Sequence, residues 1–184
     1  DFDAIVIPDT ARRMGLIAPA LAFEDIVMTR DERELKRIKK ATGYEEIHPI
    51  TLLGASTWNK PQLRRQCQRY CENAVFVDGY FSDNPSPLVR DFDAEFRAQF
   101  KKPPQLVDAQ AFDTGGVVRH ILDTVRPTTR DELRRGLLSK FSYQGVTGTL
   151  SFDQTGEVLK ELFVLTLREN TIQLYQSPEE SPQG

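Results

Sequence analysis

Over the first eighty residues, short apolar runs of strand length take turns with stretches whose apolar residues recur at helical spacing. FDAIVIP, residues 2 to 8, is closed by proline and predicts a strand whose carboxyl end is Pro8, Asp9 and Thr10. ARRMGLIAPALAFED then carries Leu16, Ala20 and Phe23 at helical spacing. Thr29 and Glu32 fit a capping box before RELKRIKKATG, where Leu35 and Ile38 are the only large apolar residues, so a charged surface helix is expected. Ile50, Leu52 and Leu53 read as a buried strand closed by Gly54, and Pro61 stands in the first turn of the next helix. PQLRRQCQRYCEN continues that helix, and NAVFVDGYF is a third run of strand type ending in Gly79 and Tyr80.

From Ser82 the composition changes, because SDNPSP is a cluster of turn formers that suits a connection between lobes. Leu88, Val89, Phe92, Phe96 and Phe100 mark one face of an amphipathic helix that Pro103 and Pro104 end, and such a stripe is read as core. LVDAQAFDTGGVVRHILDTV predicts a helix in which Gly115 and Gly116 suggest close backbone packing and His120 is structural or on the surface. Thr129 and Glu132 make a second capping box. GVTGTLSFDQTGEVLKELFVLTLRENTIQLYQ alternates like strands joined by turns at DQTG and REN, and the segment 176 to 184 reads as a disordered tail.

Composition narrows the class. The chain has 184 residues, 39% hydrophobic and 28% charged, which suits a globular protein. A net charge of −3 with interspersed signs argues against a nucleic-acid partner or an anionic membrane surface. No apolar stretch approaches the length of a membrane span. The chain opens on DFDAIVIP, without Met and at the edge of a strand, so it reads as a piece of something longer. Cys67 and Cys71 lie four apart, on one face of the expected helix. That geometry rarely suits a mutual disulfide, so two half-buried thiols are expected.

Searching for chemistry turns up binding groups rather than a reaction centre. The loop GASTW has the strand, serine and turn of a nucleophile elbow, but Trp58 stands where that elbow needs a second glycine. No Walker loop, dinucleotide fingerprint or His and Cys constellation is present, so no metal, cofactor or catalytic residue is expected. What remains is a pair of loops at strand ends, Asp9 and Thr10 beside Ser56, Thr57, Trp58 and Asn59. In an open α/β sheet ligands bind at that end, where hydroxyls, an amide and a carboxylate meet polar groups and an indole covers an apolar part. The competing reading is that Asn59 caps the helix and Trp58 fills the space between loop and sheet.

The order of elements resembles the second half of the type I periplasmic binding proteins, in the branch that binds branched-chain amino acids. VTGTLSFDQTGEVLKELFVLTL, NAVFVDGYF before a Phe-striped helix, and DAQAFDTGGVV carry the likeness, with Phe112 where the family commonly has Tyr. IPDTARRMGLIAPALAF and LLGASTWN are similar to lipoprotein relatives of that fold described as penicillin-binding protein activators, which act on peptidoglycan synthases. The resemblance implies an α/β fold of two Rossmann-like lobes with parallel sheets, incomplete at its N-terminus. Residues 1 to 80 and 148 to 175 would form the second lobe, and 81 to 147, mainly helices, would belong to the first. The segment 28 to 47 looks like an insertion. The helix from Leu88 would then lack a sheet for Phe92, Phe96 and Phe100.

By the same resemblance the protein is a non-enzymatic, extracytoplasmic solute-binding domain for an ABC importer or a sensor, lipid-anchored through an upstream segment. A small polar, amino acid-like ligand would sit between the lobes, held on this side by Asp9, Thr10, Ser56, Thr57, Trp58 and Asn59. Closure would hinge at Gly79, Tyr80 and Asn84 and again at Gly148. The acidic residue that amino acid binders often place in the second loop is absent from GASTWN, which leaves Asp9 to meet a ligand ammonium. The alternative from another class is a cell-envelope interaction domain with a vestigial cleft that docks a peptidoglycan synthase.

Overall fold

Strands β1 (Ala4–Val6), β2 (Thr51–Gly54) and β3 (Val75–Asp78) run parallel, with Ile5 opposite Leu52 and Leu53 opposite Val75. Parallel neighbours need crossover connections, and the chain supplies one between each pair. The first holds helices α1 (Ala11–Phe23) and α2 (Glu32–Thr42). The second is a short wound segment, Leu63–Cys71. Alternation places Leu52 and Phe76 on the buried face of the sheet, and α1 packs against the Leu63–Cys71 segment with its Met14 and Ala18 buried. The opposite face is partly open, and Val6 is 70% exposed.

The computed structural model describes residues 2–139 and 141–176; the expected tail from 177 onward lies outside them. The described residues form two units, one holding the chain up to Asp78 and from Val164, the other Gly79–Phe163. Helices α3 (Pro87–Phe100), α4 (Leu106–Thr124) and α5 (Arg130–Leu137) belong to the second unit, with strands β4 (Tyr143–Gly145), β5 (Gly148–Phe152) and β6 (Val158–Lys160). In the first unit β7 (Phe163–Arg168) lies beside β3 and pairs antiparallel with β8 (Thr171–Leu174), completing the order β1-β2-β3-β7-β8.

Several expectations change. The five-stranded sheet is mixed, and the described strands of the second unit form an antiparallel sheet, β4-β5-β6, because two tight turns join them. The return expected at residue 148 therefore comes at Val164. Gly148 is not a hinge between units but the end of the β4–β5 turn, where its φ of +96° suits a residue without Cβ. Asn84 likewise sits inside the second unit, in a turn where its side-chain oxygen accepts from the Ser86 N–H at 2.9 Å. Asp31, not Thr29, caps α2, accepting from the Glu34 N–H at 2.9 Å. Phe92 finds cover without a sheet: it is buried with Tyr80, Val89, Ala109 and Val146, and Phe96 packs on that cluster, while Phe100 is exposed.

Cys67 and Cys71 form a disulfide and are fully buried. The expected regular helix is not there: Leu63–Cys67 is wound as a π-helix, Gln68–Cys71 as a 3-10 turn, and Gln68 has a φ of 48°. This change of winding leaves the two Cα atoms 5.5 Å apart, a span a disulfide bridges.

The second unit is fastened by Asp113 of α4, 1% exposed, whose carboxylate accepts from the Val146 N–H at 2.7 Å, the Thr147 N–H at 2.9 Å and the Thr147 hydroxyl. Removing a charged acceptor would leave buried donors unpaired. Asp113→Ala is therefore expected to cost about 3 kcal/mol in urea unfolding, and Asp113→Asn clearly less, because an amide oxygen still accepts.

Candidate functional site

The carboxyl ends of β1, β2 and β3 bring the candidate residues together. After Ile7 and Pro8 the chain reaches Asp9, and Thr10 caps α1, its hydroxyl accepting from the Arg13 N–H at 3.4 Å. The Asp9 carboxylate accepts from the Thr10 N–H at 2.6 Å and from the Arg13 guanidinium at 3.3 Å. These contacts, the Thr10 N–H first and Arg13 after it, hold the Asp9 carboxyl below its ordinary 3.8.

The second loop is a 3-10 turn, Ser56–Trp58, set directly behind β2. Its two donors converge on one atom: the Thr57 hydroxyl reaches the main-chain carbonyl of Asp9 at 2.7 Å and the Trp58 indole N–H reaches it at 3.0 Å. Trp58 is 0% exposed, tilted against Phe76 at a centroid distance of 6.1 Å. Its ring lies where a Cβ on Gly54 would be, so that strand end must be glycine. Trp58 thus supports the loop from beneath and presents no face to a ligand, which corrects the expectation that it would cover one. Ser56 and Asn59 are half-buried, Thr57 and Thr10 exposed.

The Asn59 amide donates to the Asp78 carboxylate at 2.8 Å. Asp78, 5% exposed at the end of β3, is the site residue that sequence reasoning passed over, although the strand-end rule that selected Asp9 applies equally to VFVD. Arg13 was also overlooked, and its spacing of four from Asp9 on the first turn of a helix was the available signal. The arrangement offers a carboxylate, hydroxyls and an amide, suited to hydrogen-bonding a polar molecule. Among the described residues no three His, Cys, Asp or Glu side chains stand together as metal ligands.

No family model and no curated protein matches the chain. Solved structures do, and they define its fold as that of the type I periplasmic binding proteins. A putative branched-chain amino acid ABC transporter protein from Rhodospirillum rubrum is 22% identical, with 92% of this chain and 50% of that one covered and a TM-score of 0.66. A leucine binding protein, LivK, from Thermotoga maritima is 17% identical over 96% of this chain and 45% of its own, at 0.59. LivJ from Streptococcus pneumoniae, in complex with isoleucine, is 21% identical over 94% and 43%, at 0.58. The chain thus spans about half the length of these proteins.

The hydrogen bonds at Asp9 have a measurable consequence. In a carboxyl-detected NMR titration its midpoint is expected below 3.8, and Arg13→Ala should move it up only part of the way, because the Thr10 N–H remains.

Proposed function

We propose that this chain is part of a non-enzymatic, extracytoplasmic solute-binding protein that holds a small polar ligand at the carboxyl ends of β1 and β2 and delivers it to an ABC importer. The observation that carries the reading is the Asp9 carboxylate, kept ionised and bordered by the exposed Thr10 and Thr57. A carboxylate in that setting suits a ligand ammonium, while hydroxyls suit its polar remainder. Support for the compartment comes from the buried Cys67–Cys71 disulfide, since such bonds persist in oxidising surroundings. Support for the solute class comes from the fold, shared with proteins described as binding leucine, isoleucine and benzoate.

A second reading, a cell-envelope interaction domain that docks a peptidoglycan synthase, is favoured by a different observation. Trp58 is wholly buried and Asn59 is engaged with Asp78, so fewer groups of this loop are left for a ligand than the sequence promised.

Calorimetry on the complete protein separates the two. Leucine and isoleucine are expected to bind weakly, with a Kd no tighter than about 0.1 mM, because one carboxylate is available for the ammonium. Asp9→Ala should abolish that binding. Tight binding that survives Asp9→Ala overturns the assignment of Asp9, and no heat with any amino acid or with benzoate favours the interaction domain.

A further inference from the structure

Past the exposed Arg12 and Arg13 of its first turn, helix α1 is apolar on the side that faces away from its own core. Ala11, Met14 and Ala18 are buried, whereas Leu16, Ala20 and Phe23 run along the opposite side, with Leu16 75% and Phe23 87% exposed. A helix that stands at the surface of its unit normally presents a polar outer side, so a stripe of this kind marks contact with a surface outside the described residues. The stripe does not end at Phe23. That residue also lines a groove of about 540 Å³ between α1, α2 and the Tyr70 region, whose walls include Pro19, Ile26, Ile38 and Ala41. The groove's cations are Arg37 and Arg69, the latter over the Tyr70 ring at 5.0 Å and 3.7 Å from Glu34; Asp25 is its other carboxylate.

The groove lining itself is balanced, two cations to two carboxylates, and the positive sign comes from the rest of α2 and the segment around it. Residues 11 to 71 hold twelve of the chain's 24 Lys and Arg but only seven of its 27 Asp and Glu, so this segment is positive in a chain whose net charge is −3. On α2, Arg33, Lys36, Arg37, Lys39 and Lys40 outnumber Glu32 and Glu34. Leu35 and Ile38 of α2 are half-buried and none of its residues is fully buried, which leaves the helix as one wall of an open trough.

We propose that the α1–α2 surface docks an acidic amphipathic helix of a protein partner. Its apolar anchors, spaced one helical turn apart, would lie on Leu16, Ala20 and Phe23 and enter the groove, and its carboxylates would meet the cations of α2. The groove favours a protein segment over a lipid surface because it is concave and takes a side chain, whereas a bilayer meets a convex apolar face. The proposal stands apart from the ligand-binding reading, since none of these residues belongs to the strand-end site.

The test is fluorescence anisotropy on the full chain, with a labelled peptide of about 18 residues that carries Leu at i, i+3, i+4 and i+7 and Glu elsewhere, beside the same peptide with Lys in place of Glu. The acidic peptide should bind at least about ten-fold more tightly than the basic one. Phe23→Glu, and independently Ala41→Trp, which plugs the groove, should each weaken it by about ten-fold or more. Phe23→Ala serves where the charged variant fails to fold by circular dichroism. Val107→Glu, at an apolar position of the other unit that is 73% exposed, should change nothing. Equal binding of both peptides, or binding indifferent to Phe23 and Ala41, overturns the proposal. So does Phe23-dependent self-association in sedimentation velocity without peptide binding, which assigns the face to a second copy. Phe23-dependent binding to phosphatidylglycerol vesicles in preference to the peptide assigns it to a membrane and overturns the proposal as well.

Discussion

One carbonyl oxygen organises the first unit. The Asp9 main-chain oxygen takes the Thr57 hydroxyl and the Trp58 indole N–H together, and so ties the end of β1 to the end of β2. The tie is obligatory in a way that a surface hydrogen bond is not. A fully buried indole cannot leave its N–H unpaired without cost, and filling the space over Gly54 beside Phe76 fixes where that N–H points. Burial of Trp58 thus decides the position of Asp9, and the side chain of Asp9, turned outward, is held in place by Thr10 and Arg13. Groups available for recognition are those that the latch leaves at the surface.

Both units depend on ties of this kind because several of their strands are short. β1, β4 and β6 have three residues each, too few to secure a register by packing alone. In the second unit Asp113 supplies the restraint by gathering the two N–H groups and the hydroxyl of the β4–β5 turn. In the first, the disulfide holds a wound segment that no regular helix would produce, and Cys67 sulfur lies 3.6 Å from the Met14 carbonyl of α1. A polar clamp and a covalent one solve the same problem.

How far these features were legible in the sequence follows from what each depends on. Strand ends and helix starts are local, and parallel strands bring their carboxyl ends together, which is why Asp9 and the 56 to 59 loop are neighbours. Burial of a loop side chain is not local: nothing in GASTWN tells Trp58 from an exposed indole, because the space it fills is made by Phe76 and a glycine. The cysteine pairing was hidden behind the assumption of a uniform helix, which the reversal at Gln68 breaks. Strand partners were hidden too. The alternation in residues 143 to 174 reads alike whether a strand pairs with its neighbour, as β5 does with β6, or returns to a distant sheet, as β7 does.

Helix α1 joins the two surfaces that matter most. Its first turn holds Thr10 and Arg13 against Asp9, and its outer side carries Leu16 and Phe23. A displacement set at the first turn of this 13-residue helix reaches Leu16 through unbroken helical hydrogen bonding and Phe23 across Pro19, where one backbone donor is missing. If a molecule bound at Asp9 prefers one placement of α1, anything seated on Leu16 and Phe23 must prefer the same or the opposite placement to be affected by it. By thermodynamic linkage the effect then runs equally in both directions. The element that holds Arg13 against Asp9 is thus also the one whose apolar side faces outward.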